Sequence, residues 1–298
     1  MYKRDKFSTY NPIINFVFFI GAVVFGMVFI HPVFLACSLI LSAAYYITLK
    51  GLRGMRIFAG LIPVFVFMSL INPLFNSRGS VVLFTYLGGR PYTLEALYYG
   101  MALGAMFVTV IAWFASYNAV MTSDRFLYIF GKAAPSISLT LTMILRLVPN
   151  YQRKAMQIAS ARKSIGRSAG AGTRLERAEN GLVILSSLTS WALEGGIVTA
   201  DSMRSRGYGC CRRTSFSVYR FDGRDIMLTT FMAVLIAIVI FCGIKGAAAA
   251  AYTPAIHISP INNIYSAAGI SAYFVFLSIP AALNITEEII WRISRLRI

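Results

Sequence analysis

Long apolar runs alternate along this chain with shorter polar connections. Several of the runs approach the roughly 20 residues that a helix needs to cross a lipid bilayer. We predict six membrane spans from them, at residues 13–30, 33–49, 57–75, 94–118, 226–244 and 264–283. The predicted fold class is therefore an all-α polytopic membrane protein with about six transmembrane helices.

Local features of the runs predict details of their packing. Pro63 and Pro73 lie inside the third run, where proline is expected to kink a helix. Gly100 and Gly104 stand four residues apart in the fourth run, a spacing typical of helices that approach each other closely. Between these runs, the stretches 81–87 and 90–93 flank two glycines and predict a small β-hairpin.

A basic region interrupts the apolar pattern before the fifth run. Residues 124–225 contain sixteen Lys and Arg against seven Asp and Glu, a net charge of +9 (16 − 7). The region also contains the apolar stretches 137–148 and 182–200, with Pro149 expected to bend the first. We interpret it as long amphipathic helices at the cytoplasmic face of the membrane, joined by a turn over the Gly-, Ser- and Ala-rich residues 166–173.

The apolar and basic regions together predict the organisation of the chain. Residues 1–118 form N-terminal transmembrane helices, residues 119–225 form the cytoplasmic helical region, and residues 226–298 form C-terminal transmembrane helices with a basic tail. The first run follows basic residues as a signal peptide would, but no convincing cleavage site follows it, so we expect a retained span.

Composition and charge agree with a membrane protein. Hydrophobic residues make up 57% of the chain and charged residues 13%, about half the charged share of an ordinary soluble domain. The net charge of +17 would suggest nucleic acid as a partner of a soluble protein. Here Lys and Arg concentrate in alternate connections, as the positive-inside rule requires, so we expect no nucleic acid and place both termini in the cytoplasm of a cell membrane.

Several enzymatic functions lack the residues they need. The chain contains no P-loop and no Gly-x-Ser-x-Gly motif, which argues against nucleotide hydrolysis and serine hydrolase chemistry. Its two histidines, His31 and His257, and four scattered or adjacent cysteines predict neither a metal site nor a disulfide. We expect no cofactor, no bound metal and no catalytic activity.

Two alternatives remain open. Glu287, Glu288 and Arg292 have the Glu-Glu-x-x-x-Arg spacing of intramembrane CAAX-type proteases, although ion pairing on a tail helix explains the same residues. A self-sufficient secondary carrier is the other alternative. Such carriers usually keep ionisable side chains at membrane depth, and the predicted spans contain almost none.

The most polar stretch of the chain, residues 200–209, reads Ala-Asp-Ser-Met-Arg-Ser-Arg-Gly-Tyr-Gly. Upstream, Leu-Arg-Leu-Val-Pro at residues 145–149 leads into a basic helix that contains Arg153 and Arg162 and ends near Gly166. These two segments resemble the transmembrane T component of energy-coupling factor (ECF) transporters, including the CbiQ-like cobalt and nickel type. Ser205, Arg206 and Gly207 correspond to the Ala-Arg-Gly signature of that family, with Ser in place of Ala.

The resemblance implies a division of labour between subunits. Two ATP-binding subunits would hydrolyse ATP, a substrate-binding membrane S component would capture a vitamin or a metal ion, and this chain would join them in the bilayer. Arg206 at a helix end, with Gly207 as the helix stop, would bind a carboxylate of an ATP-binding subunit. In the first signature Ser164 and Gly166 are retained, Ile165 replaces the expected Arg, and Arg162, Lys163 or Arg167 would supply the charge.

Overall fold

The computed structural model describes residues 5–76, 79–86, 90–131, 134–167, 170, 172–210, 219, 221–252, 256–260 and 263–296. Its helices are α1 (Pro12–Val28), α2 (Pro32–Lys50), α3 (Met55–Phe75), α4 (Leu94–Val120), α5 (Ser123–Gly131), α6 (Pro135–Ser164), α7 (Arg174–Ser205), α8 (Gly223–Ile244) and α9 (Ile264–Leu296). Its strands are β1 (Val82–Tyr86), β2 (Arg90–Thr93), β3 (Ala250–Ala251) and β4 (His257–Ile258), which form two antiparallel hairpins. The all-α fold class and the predicted hairpin, in which β1 pairs with β2, are confirmed.

Within the described part of the chain, six helices are long and apolar enough to cross a membrane: α2, α3, α4, α7, α8 and α9. The first predicted span, α1, is not in this set, and α7, which we predicted as a cytoplasmic helix, is. At 17 residues α1 is slightly short, and α7 meets the criterion because its middle section is apolar over a long stretch. The last helix continues beyond the predicted limit of residue 283 to Leu296.

The chain divides into two compact units, Met1–Phe126 with Tyr219–Ile298, and Leu127–Val218. We call the first the bundle and the second the arm. The bundle has an aromatic core in which Trp113 is fully buried and donates a hydrogen bond from Nε1 to Ser38 Oγ at 2.9 Å. Phe18 packs on Trp113 and on Phe276, with ring centroids 5.6 and 5.1 Å apart, so α1, α4 and α9 meet at one aromatic contact.

The two glycines of α4 bring it close to α3. A Cβ atom at Gly100 would lie 2.6 Å from the backbone oxygen of Ser69, and one at Gly104 would lie 3.0 Å from that of Phe65. Any larger residue would therefore push the helices apart. The predicted close helix contact is confirmed, and its partner is α3.

The arm is built differently from the bundle. Its long helices α6 and α7, with 30 and 32 residues, contain no buried residue. The apolar stretch 137–148 lies in α6 and the stretch 182–200 lies in α7. The predicted turn at residues 166–173 lies partly outside the described residues. Pro149 lies inside α6, which continues past it as a helix.

Candidate coupling site at two helix ends

The candidate site lies on α6 and α7, and local sequence defines where α7 begins. Thr173 is its N-cap, and the Thr173 side chain accepts a hydrogen bond from the backbone N–H of Glu176. The Glu176 carboxylate in turn accepts one from the backbone N–H of Thr173 at 2.8 Å. This reciprocal capping box satisfies two N–H groups that the first turn of a helix leaves open.

Side-chain contacts at two levels join α6 to α7. Arg162 Nη2 donates a hydrogen bond to Asn180 Oδ1 at 2.6 Å. Further from the turn, the Tyr151 and Trp191 rings pack edge to face with centroids 5.6 Å apart, and Lys154 Nζ lies 5.4 Å from the centre of the Trp191 ring. Position 151 precedes 162 on α6 by as many residues as 191 follows 180 on α7, so the contacts belong to one antiparallel hairpin.

The C-terminus of α7 closes with a glycine cap. Gly207 has φ +73°, a left-handed conformation that favours glycine. Its N–H donates to the carbonyl of Arg204 at 3.0 Å, and the N–H of Tyr208 donates to the carbonyl of Met203 at 3.0 Å. These two bonds define a Schellman motif. Arg206 is the C-cap residue, immediately before the glycine that stops the helix.

The C-terminus of α6 closes in the same way. Gly166 has φ +79°, its N–H donates to the carbonyl of Lys163 at 3.1 Å, and the N–H of Arg167 donates to the carbonyl of Arg162 at 3.0 Å. Ile165 is the C-cap residue. We call residues 164–167 the α6 end and residues 205–208 the α7 end.

The matching hydrogen bonds align the two ends residue by residue. Ser164 corresponds to Ser205, Ile165 to Arg206, Gly166 to Gly207 and Arg167 to Tyr208. The backbone therefore supports the same alignment that the resemblance suggested, in which Ile165 stands where the other end has arginine. The difference between the ends lies in their side chains.

The predicted coupling residues differ in their surroundings. Ser205, Arg206 and Gly207 are exposed, and the Arg206 side chain makes no hydrogen bond or ion pair with any residue that the structure describes. Ser164 and Gly166 are exposed as well. Arg162 is half-buried and donates to Asn180, whereas Lys163 and Arg167 are exposed.

The residues of the protease alternative lie in the bundle. The Glu287 carboxylate forms an ion pair with Lys6 Nζ at 3.0 Å, with both side chains about one third exposed. The expected pairing with Arg292 on the same helix involves a side chain outside the described residues, and the structure gives Glu287 a partner near the start of the chain. Among the described residues, no group of three His, Cys, Asp or Glu side chains is placed to hold a metal ion.

The contacts within the arm were missed by sequence reasoning. Asn180 and Trp191 were not candidate residues, although a single Trp in a basic region and a Tyr-x-x-Lys pair at i, i+3 on the facing helix are a usable signal for an aromatic contact. The pairing partner of Arg162 has no comparable local signal, because it depends on the register of two helices.

Comparison with known proteins gives two relatives. No family model matches the chain. It is 27% identical over 194 residues to the energy-coupling factor transporter transmembrane protein EcfT of Staphylococcus aureus, covering 61% of this chain and 72% of that protein. It is 25% identical over 194 residues to the EcfT protein of Streptococcus equi subsp. equi, covering 61% and 71%. The resemblance predicted from the sequence is confirmed: this multi-pass membrane protein is similar to the EcfT transmembrane components of energy-coupling factor transporters.

Proposed function

We propose that this chain is the energy-coupling transmembrane subunit of an ECF transporter. Two ATP-binding subunits dock at the α6 end and the α7 end, and a substrate-binding S component in the same bilayer receives the motion that ATP hydrolysis produces. The complex takes up a vitamin or a metal ion, and the chain itself performs no catalysis. The names of the two relatives support membership of such a transporter, while the docking positions rest on the geometry of the arm.

The observation that carries the proposal is the capped and exposed α7 end. A Schellman cap fixes the backbone around Arg206, so its side chain starts from a rigid position at the tip of a 32-residue helix. A guanidinium can bind a carboxylate through two parallel hydrogen bonds. Once the pair is shielded from water, loss of one partner costs about 2–5 kcal/mol.

The orientation of the chain is part of the proposal. The backbone N–H of Lys6 donates to Asn284 Oδ1 at 2.9 Å, and the Lys6 ammonium pairs with Glu287. The beginning of the chain and the last third of α9 therefore lie at the same end of the bundle. Together with the basic residues near both termini, this supports a cytoplasmic location for both.

The test is assembly and coupled transport with a charge-reversed Arg206. Wild type and Arg206→Glu are each co-expressed with the ATP-binding subunits and the S component, and the affinity of the ATP-binding subunits is measured in nanodiscs. We expect Arg206→Glu to weaken binding by about 30-fold or more, the equivalent of 2 kcal/mol, and to abolish ATP-driven uptake.

Arg153→Glu is the matched control. Arg153 is exposed on α6, so its reversal makes the same change in net charge twelve residues before Ile165. We expect that variant to bind within a fewfold of wild type. Equal binding by Arg206→Glu and wild type would refute the proposed docking at the α7 end.

A further inference from the structure

The α6 end and the α7 end share one backbone but present opposite chemistry. Ile165 is 72% exposed at the position where the α7 end carries Arg206. One residue further, the α6 end has the exposed cation Arg167, whereas the α7 end has the half-exposed ring of Tyr208. The apolar and the cationic side chain have thus exchanged places around an identical glycine cap.

A single type of receptor cannot bind both ends well. A pocket whose carboxylate pairs with Arg206 would be left with an unpaired buried charge if Ile165 entered it. An apolar pocket that fits Ile165 would strip the water from Arg206 without offering a partner. Mismatched pairs of this kind bind more weakly by at least an order of magnitude.

Within the α6 end, Ile165 is the one large apolar side chain, which favours a protein pocket over a lipid surface. Its neighbours within the α6 end are Ser164, Gly166 and Arg167, and Lys163 precedes them. Helices that rest in a membrane interface do so through a continuous apolar face. One large apolar side chain flanked in sequence by small and cationic residues instead resembles an anchor that fills a pocket with a polar rim.

We propose that Ile165 docks in an apolar pocket, rimmed by acidic groups for Lys163 and Arg167, on an ATP-binding subunit, and that this pocket differs chemically from the carboxylate site that receives Arg206. The two ends of the arm are therefore not interchangeable. This inference rests on the proposed function, because it assumes that ATP-binding subunits occupy both ends.

An exchange variant tests the inference directly. Ile165→Arg combined with Arg206→Ile exchanges the side chains of the two C-cap residues and preserves both net charge and composition. If the two receptors differ as proposed, the exchange variant should bind the ATP-binding subunits at least about tenfold more weakly than wild type and lose coupled uptake. If it assembles and transports as wild type does, the receptors are equivalent and the inference is wrong.

Single variants at Ile165 show whether this side chain contacts a pocket on an ATP-binding subunit or lipid. Ile165→Asp should weaken binding of the ATP-binding subunits by about tenfold or more, while Ile165→Val should retain most of the affinity because it keeps an apolar, β-branched side chain. Ile165 is exposed at a helix end, so both variants should fold. If Ile165→Asp lowers the thermal stability of the chain alone in nanodiscs and leaves the affinity unchanged, Ile165 contacts lipid and the inference is wrong.

The Arg206→Glu variant separates failure of the inference about Ile165 from failure of the proposed function. If Arg206→Glu dissociates the complex and Ile165→Asp does not, only the inference about the α6 end fails. If neither variant affects assembly, the proposed docking of ATP-binding subunits at the arm fails as a whole.

Discussion

The bundle and the arm use apolar residues in opposite ways. In the bundle, Trp113, Phe18 and Phe276 are each fully buried, and the Phe18 ring packs on both of the others across three helices. In the arm, helices α6 and α7 bury none of their residues, and Leu175 and Leu182 are 80% and 66% exposed. Burial of a large apolar side chain contributes about 1.5–3 kcal/mol, so the bundle stabilises itself to a degree that the arm alone does not.

The difference indicates what each unit is suited to do. A closely packed bundle keeps one arrangement, because interiors at crystal-like density resist partial rearrangement. A helical hairpin joined by a few polar and aromatic contacts leaves its surface available to lipid and to other subunits. Substitutions of the same residue type in the two units should therefore have different effects.

The largest expected effect is the loss of stability when Trp113, the buried tryptophan of the bundle, is replaced by alanine. Trp113→Ala removes a fully buried ring and its hydrogen bond to Ser38, and it should destabilise the bundle by about 3–5 kcal/mol. Unfolding of the purified chain in detergent, followed by circular dichroism, measures this loss. Trp191→Ala in the arm is the control and should change global unfolding far less, because that ring is only partly buried. Equal losses would contradict the contrast between the units.

Much of this contrast could be predicted from the sequence. The apolar runs predicted the helices of the bundle, and Gly100 and Gly104 predicted a close contact that α3 provides. Gly207 predicted the stop of α7, because a left-handed residue after a helix is a local requirement. Each of these features depends on residues within one or two helical turns.

Features that depend on distant partners were not predictable. Lys6 and Glu287 are 281 positions apart in sequence, and only the fold brings the two side chains within 3.0 Å. The Arg162–Asn180 bond depends on the register between α6 and α7. The resemblance predicted the alignment of the α6 end with the α7 end, but the Schellman cap that both ends share became clear only from backbone hydrogen bonds.

A smaller effect should follow from the helix cap. Gly207→Ala places a Cβ in a left-handed conformation and should destabilise the α7 end by about 1–2 kcal/mol. Gly195→Ala is the matched control, because Gly195 lies inside α7 with open space around it and alanine favours helix by about 0.5–1 kcal/mol. Hydrogen exchange of the α7 end should therefore accelerate in the first variant. Acceleration of the same amides by Gly195→Ala would contradict the assignment of the cap.

The contact between Lys154 and Trp191 should contribute less again. A cation near an aromatic face is worth about 0.5–1 kcal/mol at an exposed site. A double-mutant cycle with Lys154→Ala and Trp191→Ala, read by hydrogen exchange of α6 and α7, should give a coupling energy in that range. A cycle of Arg153→Ala with Trp191→Ala is the control and should give a value near zero. Similar values from both cycles would mean that Lys154 acts through general charge and not through the ring.

The smallest effect is expected where the start of the chain meets the bundle. Burial raises the pKa of the Asp5 carboxyl above its ordinary value, against the opposing effect of hydrogen bonds from Asn284, Tyr45 and Ser8. Because the folded state binds this proton more tightly, Asp5 stabilises the fold more as the pH falls through its raised pKa, and the gain is complete below the ordinary pKa of aspartate. Asp5→Asn imitates the protonated form, so it should be at least as stable as wild type at neutral pH and should not share this pH dependence. Thermal unfolding at a series of pH values measures the difference between the two proteins, which should shrink as the pH falls. If wild type is instead more stable than Asp5→Asn at neutral pH and loses that advantage on acidification, the carboxylate is favoured at this site, and the start of the chain is held to the bundle mainly by its charges.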